Sequence, residues 1–203
     1  MTTYYKATRE DGTDFNTGTI DYAAALGTDV PVTHPGGGTS LTDAADYLSV
    51  STSPSDCTRF RWPCRLFVVE PVDPWTPHAS DLPNKRACRS LLVIEERPAH
   101  EAFGPNGEAV VAVIDRASRL TLGEVERLAA AWDAVWAAAW DAARDAAWDA
   151  VWDAAWAAVW GVVWDAARAA AWGAVAHCVR DLITPEQFEL LVGPWNTVIG
   201  EAP

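Results

Sequence analysis

The chain has 203 residues, half of them hydrophobic, with 28 acidic side chains against 15 basic ones and a net charge of −13. Residues 1–120 hold 11 basic and 16 acidic groups, residues 121–183 hold 4 and 9, and the last 20 add three Glu, so no segment offers the basic field that sequence-independent nucleic-acid binding or docking on an anionic membrane requires. The first residues lack the charged-then-apolar pattern of a signal peptide, and four Cys in such a chain are expected as reduced thiols in a soluble, cytoplasmic protein.

In chain order, residues 4–9 alternate and are rich in aromatic and Thr side chains, which predicts a strand ending at the turn Glu10-Asp11-Gly12. A short extended piece over 29–33 precedes Pro35-Gly36-Gly37-Gly38, and a helical turn is expected over 41–46. Strands are predicted over 47–52, 65–72 and 89–96, the second being the strongest such signal, with a Pro-rich loop from 73 to 84. Pro105-Asn106-Gly107 marks a turn, and 108–118 reads as a helix. Thr121-Leu122-Gly123-Glu124 fits a capping box, Thr at the N-cap and Glu three residues on. A second box, Thr184-Pro185-Glu186-Gln187, places Pro at the favoured first helical position.

Between the two boxes runs a ladder. Trp132, Trp136, Trp140, Arg144, Trp148, Trp152, Trp156, Trp160, Trp164, Arg168 and Trp172 fall on every fourth position, separated almost entirely by Ala, Asp and Val, and hold nine of the 12 Trp. No Pro interrupts it and Ala is the best helix former, which predicts one helix over about 122–183, roughly 90 Å long; a hairpin bent at Gly161 is the alternative. The longest uncharged run within the ladder, 154–164, is too short for the ~20 apolar residues of a membrane span.

Four residues advance a helix by about 400°, so successive indoles turn by about 40° and no single face meets a single partner, as a heptad would. Nine indoles at about 200 Å² carry roughly 1,800 Å² of mostly apolar surface, a gross upper bound near 45 kcal/mol at about 25 cal/mol/Å². Monomers rarely expose apolar patches above a few hundred Å². A covering is therefore required, and other copies of the chain are the expected one. Asp141, Asp145, Asp149 and Asp153 form a like-charged row that reads as a solvated face limiting aggregation. A cation site, or a docking strip for a basic partner, are the functional readings of the same row.

The remaining candidates for chemistry are sparse. Cys57, Cys64, Cys88 and His78 could form a three-Cys, one-His zinc site, but the six-residue gap between the first two is wider than zinc knuckles use, and structural thiols fit better. His177 and Cys178 are adjacent on a predicted helix and so point about 100° apart, which disfavours a thiol–imidazole pair.

Arg9, the run Ser51-Thr52-Ser53, and Glu95 or Glu96 together resemble the residue order of ADP-ribosyltransferases. The resemblance implies NAD as substrate, with Arg9 on a phosphate, the serines on the nicotinamide side and the Glu stabilising a ribosyl cation. A second resemblance is broader. Tyr4-Tyr5-Lys6-Ala7-Thr8-Arg9 with Asp11-Gly12, residues 47–53 with Pro54, Cys57, Trp62-Pro63-Cys64-Arg65-Leu66-Phe67, Pro83-Asn84-Lys85-Arg86 and residues 96–101 are similar to a bacterial and bacteriophage domain family whose members often carry Ala/Trp/Asp/Arg tetrad tails. It implies a head-plus-tail architecture and no particular activity.

The sequence thus predicts an α+β protein: a small N-terminal mixed α/β head over 1–120, one long Ala/Trp-rich tetrad helix over 121–183, and a short C-terminal helix and tail over 184–203. The expected function is non-enzymatic self-assembly into a homo-oligomer, with the nine Trp, Arg144 and Arg168 as interface. The alternative is an ADP-ribosyltransferase-like enzyme oligomerised by the same helix. No catalytic, cofactor-binding or metal residue is assigned, and no nucleic-acid, membrane or small-molecule partner is expected.

Overall fold

A computed structural model describes residues 2–36, 46–57, 61–72, 76–77, 83–132 and 173–200. The chain divides into two compact units, Met1–Ala102 and Phe103–Pro203.

Among the described residues the first unit forms one seven-stranded antiparallel sheet. Its strands are β1 (Tyr4–Thr8), β2 (Val32–Thr33), β3 (Leu48–Ser51), β4 (Arg65–Pro71), β5 (Thr76–Pro77), β6 (Lys85–Cys88) and β7 (Ser90–Arg97), in the order β2-β7-β4-β1-β3-β6-β5. Alternation builds the core: paired residues share a face, so Val69 with Val93, Val32 with Leu91 and Leu48 with Cys88 all turn inward around the wholly buried Tyr22 and Phe67. Between β4 and β7 the register shifts after Val68, which pairs with Glu95 while Val69 pairs with Val93. Ile94 is the extra residue and is half-exposed. The opposite face buries Ala7, Leu66 and Ala87.

The second unit is helical. Helix α1 is Gly107–Ala117, α2 is described over 122–132, α3 over 173–178, and α4 is Pro185–Ile199. Both predicted capping boxes close. Glu124 accepts from the Thr121 amide at 2.8 Å and returns its own amide to Thr121 Oγ1 at 3.4 Å, and Thr184 and Gln187 exchange the same pair of bonds at 2.9 and 3.3 Å. Leu128 and Trp132, one turn apart on α2, are both buried, as are Val110 and Val113 on α1 and Leu191, Val192 and Trp195 on α4. Pro194 lies inside α4 and forgoes one backbone hydrogen bond there.

Two features of the predicted fold class are corrected. The predicted head over 1–120 is not a mixed α/β layer: its described strands form one wholly antiparallel sheet over residues 4–97 with only 3-10 turns such as Ala23–Ala25 and Pro54–Asp56 among them, and its one described α-helix, α1, predicted over 108–118, belongs to the second unit. The single long helix over 122–183 is also overturned, because the described helices are short. The helical backbone ends at residue 178, and Arg180–Leu182 is a 3-10 turn.

The ends of the ladder also lie too close together for a straight rod. A β-carbon on Gly173 would sit 3.3 Å from Val113 Cγ1, and Asn106 donates to Asp181 at 3.0 Å. The nine residues from 113 to 122 span at most about 32 Å, whereas 51 helical residues from 122 to 173 would run about 76 Å. Local helix propensity was legible; the return of the chain to α1 was not. The bend at Gly161 lies outside the described residues, as do most of the helical turn expected over 41–46 and residues 133–172 of the ladder.

Candidate functional site

Strands β1 and β3 are neighbours in the sheet but share a single register pair, Tyr5 with Ser51. β1 otherwise pairs along its whole length with β4, and β3 with β6. Beyond Tyr5 and Ser51 a small cleft of about 70 Å³ opens where the two strands part, walled by Lys6 and Ala7 on one side and Ser49 and Val50 on the other. Asp14, Phe15, Cys57, Arg61 and Lys85 complete its lining.

Three cations, Lys6, Arg61 and Lys85, are among the lining residues of this cleft. Lys6 and Lys85 are the only two lysines of the chain, and both line it. The Lys6 ammonium donates to the Ser49 carbonyl at 3.0 Å and lies 5.0 Å above the centre of the Tyr22 ring. Lys85 is buried at 6 % exposure. Arg61 donates to the Phe15 carbonyl at 2.6 Å, and Arg9 donates to that same oxygen at 3.2 Å. Arg61 also lies over the Phe15 ring.

Asp14 is the acid in the lining, and its oxygens are already engaged. They accept from the amides of Asn16, Thr17, Thr19 and Ile20 and from the Thr17 hydroxyl, at 2.7–3.0 Å. Burial pushes its carboxyl up, but these bonds outweigh burial and hold it well below the usual carboxylate range. It is a loop organiser locked in its charged form, unsuited to proton transfer near neutrality. Burial likewise pushes the Cys57 thiol up to about 11, against the pull of the Lys85 and Lys6 charges. No nucleophile is activated here.

The residues singled out from the sequence fall elsewhere. Of the ladder, Trp132 is 5 % exposed and covered within its own chain. Trp136, Trp140, Arg144, Trp148, Trp152, Trp156, Trp160, Trp164, Arg168 and Trp172 lie outside the described residues.

The residues of the NAD-using alternative are not brought together. Ser51, Tyr5, Val68 and Glu95 form one cross-strand row, which sets Ser51 and Glu95 three strand spacings apart, about 14 Å. Glu96 is held in a two-bond fork by Arg65, Glu95 pairs with Arg97 at 3.1 Å, and the Ser51 hydroxyl donates to the Asn84 carbonyl.

Cys57, Cys64, Cys88 and Cys178 form no disulfide, His78 lies outside the described residues, and among those described no group of three or more His, Cys, Asp or Glu is placed to hold a metal ion. His177 stands edge-on to Phe188, and burial pushes the Cys178 thiol up to about 11. Among the described residues no helix is long and apolar enough to cross a membrane.

Sequence reasoning passed over the cleft because its residues come from β1, β3, β6 and three loops. The available signal was compositional: an Arg-rich chain that uses Lys twice. No protein-family model matches the chain, and no curated protein and no solved structure is similar to it.

Proposed function

We propose that the chain is a non-enzymatic assembly protein, of bacterial or bacteriophage descent, whose copies associate through the Trp tetrads of 132–172. The observation that carries this reading is the number and spacing of the indoles. Trp132 is already covered, and residues 173–177 on the far side of the ladder are buried as well. Eight further ladder Trp remain, about 1,600 Å² of largely apolar surface at about 200 Å² each. Packed against another copy, that is about twice the roughly 800 Å² per partner of a standard specific interface. The Ala residues between the Trp positions are small enough to leave room for a partner's rings, and the intervening Asp residues favour water over an apolar interface.

The test is the mass of the full chain in solution by sedimentation or light scattering. A multiple of the 21.9 kDa chain mass is expected at micromolar concentration. Replacing Trp148, Trp152, Trp156 and Trp160 together by Ala is expected to lower the mass towards one copy. A wild-type chain that stays monomeric overturns the proposal.

A further inference from the structure

We propose that Asn106 is a modification site, a residue that deamidates whenever the first turn of α1 opens and that the closed fold holds unreactive. Asn106-Gly107 is the only Asn-Gly step of the chain, whose four Asn stand at 16, 84, 106 and 196. The reaction is internal. The Gly107 backbone nitrogen gives its proton to base and attacks Cγ of Asn106; the bond from Cγ to Nδ2 breaks and ammonia leaves. Water then opens the five-membered imide at either carbonyl, giving Asp or its backbone isomer isoaspartate. One amide and one water become one carboxylic acid and one ammonia, and the chain gains about 1 Da. Glycine favours the step because no β-carbon shields the attacking nitrogen.

Three restraints oppose it in the closed fold. Ring closure needs the Asn106 ψ at about −120°, where Cβ eclipses the next nitrogen. The structure sets that ψ at 17°. The Gly107 amide donates to the Gly104 carbonyl at 3.1 Å, and the Asn106 side-chain amide donates to Asp181 at 3.0 Å. Asn106 is only half-buried and Asp181 is exposed. Helix ends fray, so opening of this one turn lifts all three restraints together.

Reaction makes the opening one-way. Asn106 bonds to Asp181 because its Nδ2 is a donor. A carboxylate at 106 only accepts, and it repels the Asp181 carboxylate. Asn106 makes no side-chain cap bond to α1, whereas Asp at an N-cap accepts from the first-turn amides and lies at the positive end of the helix dipole. The Asp product therefore moves its side chain from Asp181 to the helix start. The tie that Asn106 makes across 75 positions, from α1 to the turn Arg180–Leu182, is lost.

The experiment is incubation of the full chain in mildly alkaline buffer, followed by peptide mass mapping that separates Asn, Asp and isoaspartate. A gain of about 1 Da is expected at Asn106 ahead of any at Asn16, Asn84 or Asn196. Asp181→Ala takes one hydrogen bond from the closed state and should speed the reaction about fivefold. Asp181→Asn keeps an acceptor and should stay near the wild-type rate. Asp181 is exposed, so both variants keep the fold. No conversion at Asn106 in the wild type overturns the proposal, as does a rate that Asp181→Ala leaves unchanged or that Asp181→Asn raises equally. None of these results depends on whether the chain self-associates.

Discussion

Gly173 presents a bare α-carbon to Val113: a β-carbon there would lie 3.3 Å from Val113 Cγ1 and 3.6 Å from the Trp195 ring. The contact joins α3 to α1 and α4 and leaves room for little more than a β-carbon. In an exposed helix, Gly→Ala gains about 1 kcal/mol; here crowding against Val113 offsets that gain, and Gly173→Ala is expected to be near neutral. Gly173→Leu must displace Val113 or Trp195, and overpacking of this kind costs about 1–3 kcal/mol. Thermal unfolding of the two variants checks this. A leucine variant as stable as the wild type would mean that α3 does not pack on α1.

His177 should make stability depend on pH near neutrality. It is 8 % exposed, its ring meets Phe188 edge-on at 5.3 Å, and burial, aided by the charge of Arg180, pushes its pKa below the ordinary 6.5. The unfolded chain therefore takes up the proton first as the pH falls. The stabilisation is complete above about 6.5 and drains between that value and the lower folded one, with a slope of no more than about 1.4 kcal/mol per pH unit. Asp14 and Glu124, both depressed from 3.8 and 4.5, lose their contributions only in more acidic solution. Urea midpoints at pH 7.5 and 5.5 should differ more for the wild type than for His177→Gln. Equal differences would count against a neutral buried imidazole.

Thr184 fixes where α4 begins. Its hydroxyl accepts from the Gln187 amide at 3.3 Å and its own amide donates to Gln187 Oε1 at 2.9 Å. Thr184→Ala leaves the Gln187 amide without that acceptor and is expected to cost about 1 kcal/mol, while Thr184→Ser keeps most of the stability. Chemical denaturation of the pair separates loss of the cap from loss of the methyl group.

The fold was legible where residues close in sequence decide it. β1, β3, β4 and β7 follow from alternating apolar residues, and both capping boxes follow from their four-residue spelling. β6 was not legible, because Lys85-Arg86-Ala87-Cys88 alternates in no hydrophobic sense: Lys85 and Ala87 share one face and both are buried. β5, two residues long and containing Pro77, carries no pattern at all. The same limit governs the ladder and the cleft. Tetrad spacing speaks of local helix, but only the distant pair Val113 and Gly173 reveals that the chain returns. Likewise Lys6 and Lys85, 79 positions apart (85 − 6 = 79), line one cleft only because β6 lies beside β3 and β3 beside β1.

All four thiols should be silent in the folded protein. Burial pushes Cys57 and Cys178 up to about 11 and Cys64 up to about 12. Cys88 is wholly buried, with its sulfur 3.7 Å from the Leu48 carbonyl to which it donates. The thiolate is the reacting species, and at pH 8 a thiol of pKa 11 is ionised to only about 0.1 %, against roughly a quarter for a free Cys near 8.5. A chromogenic disulfide reagent is therefore expected to react with native protein only as fast as the chain opens, and to release four equivalents at once in guanidinium chloride. A thiol that reacts promptly in the native state would show that its site is wetter than the packing around it implies, and would reopen nucleophilic chemistry at that position.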